Sequence, residues 1–302
     1  MKWPLAIEQF QNYLRLERGL SPNTLDAYSR DLKNFSIYSQ DLDKTCLTVD
    51  KDVIRSFIQT LSKAGKSTRT QARMRSSLRT FFIFLKEEEL IDISPIEGIA
   101  TPQLERKLPI YLSIQEMNSL LAAIDRSRSQ GERDNAIVET LYACGLRVSE
   151  LIGLRMRDIY RKDEVLRIIG KGNKERVVPI YEKALKALDI YINEVRVHIN
   201  PKKGFEDHVF LNQRGSSLSR VYIFKMISTL ASLAGIKKKI GPHTIRHTFA
   251  THLIQNNADI RVIQVLLGHE SITTTEIYTH LEQNHLRKTL LKYHPRGLQI
   301  NS

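Results

Sequence analysis

The sequence predicts a mainly α-helical protein with two domains, of which the second contains a small β-sheet or hairpin. At 302 residues the chain exceeds one domain of ordinary size. Apolar residues recur at helical spacing through most of it, and within the second domain one segment, EVLRIIGKGNKERVVPI, interrupts that pattern. We therefore expect an N-terminal helical domain at residues 1–100, a linker at 101–111 and a larger C-terminal domain at 112–302.

The N-terminal domain contains residues that typically begin and end helices. YLRLERGLSPNTLDAYSRDLKNFSIYSQ divides just before Pro22, where Ser21 is a candidate N-cap and the proline fits the first helical position. DVIRSFIQTLSKAG ends at Gly65, a residue type common after the last turn of a helix. The apolar residues of that segment recur at every fourth position, as on a buried helix face: Val53, Phe57 and Leu61.

The next segment, KSTRTQARMRSSLRTFFIFLKEEELI, begins basic and then becomes apolar. Between Lys63 and Arg79 it has six basic residues and no acidic one. A solvated helix face is the simpler interpretation, but such faces usually alternate both signs of charge. We therefore predict that this face binds the phosphate backbone of DNA. The predicted DNA-binding residues are Lys66, Arg69, Arg73, Arg75 and Arg79.

After residue 100 the chain changes from helix to linker and back. TPQLERKLPIYL has two prolines and no helical periodicity, which predicts the linker. Ser113 and Glu116 in SIQEMNSLLAAI fit a capping box at the start of a helix. The β-prone runs VLRII and RVVPI flank GKGNKE, which predicts a β-hairpin with a basic, glycine-rich tip. Helices are expected from there to the last residues.

Charge and composition narrow the classes of function. Lys and Arg outnumber Asp and Glu by 46 to 33, and the net charge of +13 favours a polyanionic partner, nucleic acid first. No apolar run is long enough to span a bilayer, and MKWPLAIEQFQNYL lacks the features of a signal peptide. Cys46 and Cys144 fit neither a disulfide framework nor a CxxC metal pair. These features predict a cytoplasmic protein without membrane insertion.

The stretch GPHTIRHTFATHL carries three histidines and an arginine within ten positions. On a helix that begins near His243, the buried stripe consists of residues four apart: Ile245, Phe249 and Leu253. His243, Arg246 and His247 then share the opposite side, where a helix N-terminus can hold an anion. Zinc is an alternative, but threonine stands where a zincin has its glutamate, and the guanidinium would repel the metal. A structural role for the histidines is the other alternative.

Three further segments contribute groups that can act on an anion. ACGLRVSELIGL places Arg147 at a helix start with Glu150 three residues later. The hairpin tip carries Lys171 between two glycines, and VLLGHESITTTEIYTHL places His269 after a helix-ending glycine, with Tyr278 nine residues beyond it. Taken singly, each has an ordinary alternative: a surface ion pair, a solubilising lysine or a packing tyrosine.

Taken together, these groups suit one kind of chemistry. The sequence has no carboxylate cluster for Mg²⁺, no P-loop and no Gly-x-Ser-x-Gly motif. Two arginines can instead hold the non-bridging oxygens of a phosphodiester and stabilise their growing charge. A tyrosine hydroxyl can attack the phosphorus if a base lies beside it, and a lysine can protonate the leaving 5′-oxygen. The residues therefore predict phosphoryl transfer from DNA to a tyrosine, with neither a metal nor another cofactor.

The order of these motifs resembles the tyrosine recombinase family. The matching residues are Arg147 in GLRVSEL, Lys171 in GKGNKER, His243 and Arg246 in HTIRH, His269 in LLGH and Tyr278 in IYTH. The resemblance covers essentially the whole chain and is greatest to the bacterial Xer branch, with the ending KYHPRG more similar to the XerD type than to XerC. It implies a SAM-like, core-binding N-terminal domain and a catalytic C-terminal domain that together clamp DNA.

The resemblance also implies which residues contact the reacting phosphate. Tyr278 would attack it and form a 3′-phosphotyrosine, while Arg147 and Arg246 would hold its oxygens. His269 would donate to one of those oxygens, and Glu150 is a candidate to orient Arg147.

Proton transfer is assigned by the same resemblance. Lys171 would protonate the leaving 5′-oxygen, and His243 would serve as acid and base on the tyrosine side. His247 and His252 are then expected to be structural. The tyrosine is the nucleophile, so no cofactor is expected.

The implied partners are double-stranded DNA with a dif-like recombination site and a paired Xer recombinase in a tetramer. A DNA translocase of the FtsK type is a candidate activator, and the expected role is in chromosome partition and cell division. The tail HLRKTLLKYHPRG carries Leu286, Leu290 and Leu291 on one helix face. This tail either packs on its own domain or docks on a neighbouring protomer.

Three alternatives to a Xer recombinase remain at this stage. A phage or mobile-element integrase shares the same residues, although this chain has no room for a larger N-terminal arm-binding domain. A type IB topoisomerase makes the same covalent intermediate but relaxes supercoils as a monomer. A DNA-binding factor without activity would keep the fold and lose part of the residue set.

Overall fold

The computed structural model describes residues 1–18, 20, 22–99, 110–170, 174–268 and 280–297. Within these residues the protein is mainly helical with one three-stranded sheet, which confirms the predicted fold class. The chain divides into a first unit, residues 1–107, and a second unit, residues 108–302. This division falls inside the predicted linker, of which only residues 110 and 111 are described. No described helix is both long enough and apolar enough to cross a membrane.

The first unit is built from helices, as predicted. They are α1 (Trp3–Leu16), α2 (Pro22–Gln40), α3 (Lys51–Lys63) and α4 (Thr68–Glu87). Pro22 is the first residue of α2, whereas its predicted N-cap Ser21 lies outside the described residues. Helix α3 ends shortly before Gly65, whose φ of 69° suits a residue without a side chain. The predicted stripe of α3 is buried: Val53, Phe57 and Leu61.

The core of the first unit is formed mainly by aromatic rings. Trp3 of α1 contacts Phe35 edge-on and stacks on Phe81, with 5.6 Å between ring centroids in both pairs. Phe81 and Phe82 belong to the apolar second half of α4 that followed the basic run in the sequence. One face of α4 is therefore fixed in the core, and this leaves its basic side chains toward the surface.

The second unit contains helices and the small sheet. In chain order its elements are α5 (Ile114–Ala122), α6 (Gly131–Cys144), α7 (Val148–Gly153), β1 (Ile159–Tyr160), β2 (Val165–Ile169), β3 (Glu175–Pro179), α8 (Glu182–Ile190), α9 (Arg220–Leu233), α10 (Pro242–Gln255), α11 (Ile260–Leu267) and α12 (His280–Tyr293). The capping box of α5 is present, with Ser113 and Glu116 in the predicted roles. Strands β2 and β3 pair antiparallel, which confirms the hairpin.

Two features of this unit differ from the prediction. Strand β1 extends the hairpin to three strands, in the order β1-β2-β3, and its two residues are too few to show an alternating pattern in the sequence. Residues 199–219 form turns and isolated bridges rather than helix. Helix α6 lies at the centre of the unit, because α8 and α10 both pack against it. The last residue of α6, Cys144, therefore lies next to the candidate site.

Candidate active site

Two helices of the second unit end at the site in a glycine with left-handed backbone. Gly145 follows α6 with a φ of 56°, and Gly268 follows α11 with a φ of 66°, as the sequence predicted for the latter. A Cβ at Gly145 would lie 2.5 Å from a ring carbon of Phe249, so both backbone and space require glycine there. The last carbonyls of a helix lack intrahelical partners and carry the negative end of its dipole. Such carbonyl oxygens are suited to guanidinium groups.

Arg246 donates hydrogen bonds to carbonyl oxygens at the ends of both helices. It lies in the second turn of α10, and its side chain is 12% exposed. Its Nη1 donates to the oxygen of Gly145 at 2.7 Å, and its Nη2 donates to the oxygen of Leu267 at 2.6 Å. Desolvation by burial, together with the nearby charge of Arg147, lowers the pKa of Arg246 to about 10. The guanidinium therefore remains charged at neutral pH and is fixed by the ends of α6 and α11.

Arg147 is held close to the same place by a carboxylate. It is the residue before α7, and its Nη1 donates to Oε1 of Glu150 at 2.7 Å. Its backbone N–H donates to Oε2 of the same side chain at 2.8 Å, and its Nη2 donates to the oxygen of Gly268 at 3.3 Å. The Glu150 side chain is only 2% exposed. An ordinary surface pair, the alternative interpretation of this segment, is therefore wrong.

A third arginine, Arg176 of β3, completes the cluster. Its Nη1 and Nη2 donate to the two oxygens of Glu150 at 2.9 and 2.8 Å, and its Nε donates to the oxygen of Leu266 at 3.1 Å. Burial alone would raise the pKa of Glu150, but hydrogen bonds and charge from Arg176 and Arg147 lower it to about 2. The carboxylate is therefore ionised at neutral pH and shared by two guanidiniums, with Arg246 Nη1 3.8 Å from its Oε2.

Arg176 was not among the predicted site residues, because it stands among the basic residues near the hairpin tip. Strand parity could have identified it. Arg176 is two residues before the buried Val178 and pairs across the ladder with the buried Ile168, so its side chain belongs to the inward face. An arginine on the inward face of a strand requires a buried partner of opposite charge. Glu150 is that partner.

His243 lies near the start of α10 and is exposed. It is three residues before Arg246, so the two side chains share one face of the helix, as predicted. His252 is buried, and its Nδ1 lies 2.7 Å from the Tyr142 hydroxyl, which agrees with a structural role. The ring of His247 contacts that of Tyr111 edge-on. Among the described residues, no group of three or more His, Cys, Asp or Glu side chains could hold a metal ion.

Lys171, His269 and Tyr278 lie outside the described residues. The elements beside them are described. Strands β2 and β3 lead to and from the segment with Lys171, and α11 with Gly268 directly precedes His269. The structure thus brings together Arg147, Arg246 and Glu150 from the predicted set. The roles predicted for these three residues stay predictions, as do those of the other four: Lys171, His243, His269 and Tyr278.

The five predicted DNA-binding residues lie on α4 or just before it and divide into two groups. Arg73 forms an ion pair with Asp31, whose side chain is 1% exposed and also accepts from the Ser77 hydroxyl at 2.8 Å. Arg75 donates from Nε to the oxygen of Ile99 at 3.1 Å. Both arginines therefore have structural contacts within the unit. Their predicted contacts with DNA stay predictions.

Three of the predicted DNA-binding residues are exposed, as Arg73 is, but lack its ion pair: Lys66, Arg69 and Arg79. Their side chains make no hydrogen bond or ion pair with any residue that the structure describes. The nearby charge of Arg79 contributes, after desolvation, to lowering the pKa of Arg75. A cluster of like charges without acidic partners has electrostatic energy to gain from an anion.

Comparison with known families agrees with both units. The model of the phage integrase family matches residues 111–285, and the model of the phage integrase N-terminal SAM-like domain matches residues 7–89. The fold and the arginine cluster thus define an enzyme of DNA strand exchange. The chain belongs to the phage integrase family, whose members are the tyrosine recombinases.

Individual relatives show which branch of the family the chain resembles. The chain is 44% identical over 294 residues to tyrosine recombinase XerD of Oceanobacillus iheyensis, covering 97% of this chain and 99% of the relative. It is 41% identical over 294 residues to XerD of Listeria innocua, covering 96% and 99%. A crystal structure of XerH bound to palindromic difH substrate, a post-cleavage complex, has a TM-score of 0.72 at 25% identity and covers 93% and 83%. The predicted family and its XerD-like character are confirmed.

Proposed function

We propose that this protein cuts and rejoins double-stranded DNA at a dif-like site through a 3′-phosphotyrosine on Tyr278. One observation carries the proposal: Arg147 and Arg246 are both charged, both fixed by hydrogen bonds and both anchored around one buried carboxylate. Side chains held in this way do not need to reorganise when charge develops on a bound phosphate. Charge stabilisation that needs no reorganisation is the main requirement of phosphoryl transfer.

Both arginines have donors left for a substrate. A guanidinium has five N–H groups. Among the described residues Arg147 uses two N–H groups, toward Glu150 and Gly268, and Arg246 uses two, toward Gly145 and Leu267. The remaining N–H groups can donate to the non-bridging oxygens of a phosphodiester. The same helix-end carbonyls that fix the arginines are thus part of the proposed phosphate site.

The proposed reaction is an exchange of one phosphodiester for another. The Tyr278 oxygen forms a bond to phosphorus as the bond from phosphorus to the 5′-oxygen breaks. His243 accepts the proton from the tyrosine hydroxyl, Lys171 gives a proton to the leaving 5′-oxygen, and His269 donates to a phosphate oxygen. The reverse reaction with another 5′-hydroxyl rejoins the strand, so no ATP is needed.

The proposed partner is a second Xer recombinase in a tetramer on two DNA sites, and the proposed role is the resolution of chromosome dimers. Similarity to XerD proteins over nearly the whole chain supports this role over that of a mobile-element integrase. The XerH complex with difH substrate supports a dif-like site. A chromosomal substrate implies a cytoplasmic reaction. A translocase of the FtsK type is the proposed activator.

The proposal is tested with nicked double-stranded DNA that carries the candidate dif site of the host. A nick near the cleavage position releases a short fragment after cutting, so the covalent protein–DNA product accumulates. We expect this adduct with the wild-type chain. Tyr278→Phe is expected to bind the same DNA with affinity near that of the wild type and to form no adduct, because only the nucleophilic oxygen is removed.

Tyr293→Phe is the matched control for this test. Tyr293 ends α12, and its backbone oxygen accepts a hydrogen bond from Asn256 at 2.6 Å, which the substitution leaves intact. This variant is expected to form the adduct as the wild type does. An adduct from Tyr278→Phe, or its loss in Tyr293→Phe alone, would transfer the nucleophile to another residue. No adduct from the wild-type chain would overturn the proposed function.

A further inference from the structure

Glu150 carries one negative charge and lies close to three positively charged guanidiniums. Its single carboxylate contacts Arg147 and Arg176 through charged hydrogen bonds of 2.7 to 2.9 Å, and Arg246 lies 3.8 Å away. Three guanidiniums and one carboxylate leave a net charge of +2 in the cluster. How strongly each guanidinium is paired with the carboxylate decides which of them keep a positive charge available for a substrate.

The guanidiniums are not paired equally with the carboxylate of Glu150. Arg176 faces it with both terminal nitrogens, one to each oxygen, which is the strongest arrangement for such a pair. Arg147 uses one side-chain nitrogen toward it and is 37% exposed, whereas the Arg176 side chain is 7% exposed. Arg176 is therefore turned away from solvent and toward Glu150. Its charge is already matched.

Arg176 also joins the elements that carry the other site residues. It stands on β3, five residues after Lys171 in the sequence, and its Nε donates to the oxygen of Leu266 in the last turn of α11. A Cβ on Gly268 would lie 3.1 Å from its Cδ, so its aliphatic part fills the space next to the glycine that ends α11. One side chain thus contacts α7, α11 and the hairpin.

From these contacts we infer that Arg176 is a positioning residue that neutralises Glu150 and so leaves the charges of Arg147 and Arg246 for the scissile phosphate. The inference rests on the proposed function and extends it to a residue that does not itself contact the phosphate. If Arg176 is removed, the carboxylate has only Arg147 and Arg246 as cationic partners. It would draw both toward itself and weaken their hold on the charge that develops in the transition state.

The test compares four proteins: wild type, Arg176→Met, Glu150→Gln and the double variant. Methionine keeps an unbranched chain without the charge, and glutamine keeps an oxygen for Arg147 without the charge that needs neutralising. Single-turnover cleavage of the nicked DNA is measured at saturating DNA, and binding is measured separately. We expect Arg176→Met to bind DNA about as the wild type does and to cleave roughly 100-fold more slowly, the size of effect found when one transition-state donor is lost.

The double variant separates this role from a purely structural one. If Arg176 acts through the charge of Glu150, the double variant should cleave roughly tenfold faster than Arg176→Met alone, because the uncompensated carboxylate has gone. A double variant no faster than Arg176→Met would overturn the inference. So would an Arg176→Met protein that cleaves like the wild type.

Two controls address the hairpin. Arg167→Met removes an arginine from the neighbouring strand, where it donates to Asp158 at 2.6 and 2.8 Å and faces away from Glu150, and it should leave the cleavage rate near that of the wild type. A substrate with sulfur in place of the 5′-bridging oxygen needs no proton from Lys171. This substrate should not restore Arg176→Met, and a full restoration would show that Arg176 acts only by placing the hairpin lysine.

Folding and the proposed function are controlled separately. Thermal unfolding is measured for every variant, and Arg176→Lys, which keeps the charge but not the two-pronged contact, is used if Arg176→Met does not fold. Arg176→Lys should then be faster when combined with Glu150→Gln than alone. Absence of an adduct from the wild-type chain would overturn the proposed function, whereas an adduct with unaffected Arg176 variants would overturn only this inference.

Discussion

The two units bury different kinds of polar group. In the described part of the first unit, the buried polar side chains are serines and one carboxylate, Asp31, and the basic residues lie at or near the surface. In the second unit the buried set includes both signs of full charge and histidine: Arg133, Glu139, Glu150, Asp158, Arg176, His208, His252, His294 and Arg296. A buried charge costs free energy unless it is paired and hydrogen-bonded.

This difference fits the function proposed for each unit. A surface that attracts the DNA backbone needs charges that solvent can reach, and it tolerates flexible side chains because the backbone is the same at every sequence. A site that stabilises a transition state needs charges whose positions are fixed before the substrate arrives. The second unit meets that need by burying arginines among helix-end carbonyls and carboxylates.

The sharpest way to test this comparison is to make the same substitution in both sets of arginines. Arg246→Lys keeps the charge but cannot donate to Gly145 and Leu267 with one planar group. We expect it to slow cleavage by roughly 100- to 1000-fold, with little effect on binding. Arg69→Lys, at an exposed position, should leave both nearly unchanged. Equal effects at the two positions, measured by single-turnover cleavage, would remove the distinction between the two units.

Arg73 of the first unit is exposed but forms an ion pair with the buried Asp31, and this pair is the basis of the next prediction. Arg73→Ala removes the cationic partner of the buried Asp31 and leaves the Ser77 hydroxyl as its donor among the described residues. We expect a loss of about 2 kcal/mol in the free energy of unfolding, roughly 30-fold in the equilibrium constant. The loss should be seen in chemical denaturation without DNA. Arg73→Ala combined with Asp31→Asn should recover part of it. Unchanged stability in Arg73→Ala would show that this ion pair does not stabilise the first unit.

Burial of His294 in the second unit predicts a dependence of stability on pH. Burial, with the charges of His252 and Arg296, lowers the pKa of His294 from 6.5 to about 3, against a hydrogen bond with the oxygen of Tyr142. The folded protein therefore leaves this ring neutral where the unfolded chain protonates it. Stability is complete above pH 6.5 and falls as pH decreases, by at most about 1.4 kcal/mol per unit until the pH nears 3.

Denaturation at several pH values between 6.5 and 5 checks this prediction, because most carboxylates do not titrate there. His294→Gln should lower stability at pH 7 and make the remaining stability depend less on pH in that window. His247→Gln, at a half-exposed position, should keep the slope of the wild type. An equal slope in wild type and His294→Gln would exclude this histidine as the cause.

The smallest effect is expected from the exposed basic residues at the start of α4 and just before it. Lys66→Ala combined with Arg69→Ala should reduce the slope of the logarithm of affinity against the logarithm of salt concentration by about two, since each lost phosphate contact releases about one counterion fewer. The folded structure should be unaffected, because neither side chain has a partner among the described residues. Arg55→Ala, which removes an arginine already paired with Asp52, is the control. An unchanged slope would mean that this face does not contact DNA.

Local features of the fold could be predicted from the sequence. The capping box of Ser113, the hairpin and the buried stripe of α10 each depend on residues within one short segment of the chain, so their periodicity and spacing can be read from the sequence. The pair of Arg147 and Glu150 belongs to this group too. Its burial does not, because burial depends on what packs over it from other segments.

The contacts that the sequence did not predict join distant segments. Arg73 and Asp31 are 42 residues apart, and Arg176 and Glu150 are 26 apart. A single sequence contains no record of such pairs, since many arginines and carboxylates could be combined. For the same reason the sequence did not decide whether the tail HLRKTLLKYHPRG packs on its own domain or docks on a neighbouring protomer. In this chain Leu286 and Leu290 are buried in the core of their own unit.

The segment after α12 has a consequence for the order in which the two activities arise during synthesis. Nη2 of Arg296 donates to the buried Glu139 at 2.7 Å, a contact between residues 157 positions apart. The core of the first unit, as far as the structure describes that unit, ends at Ile99. Domains fold as units and from the N-terminus during translation. The ribosome thus completes the described core that holds α4 long before it reaches Arg296, which the second unit needs for its contact with Glu139. With the functions proposed for the two units, a nascent chain is expected to hold DNA before it is able to cut it.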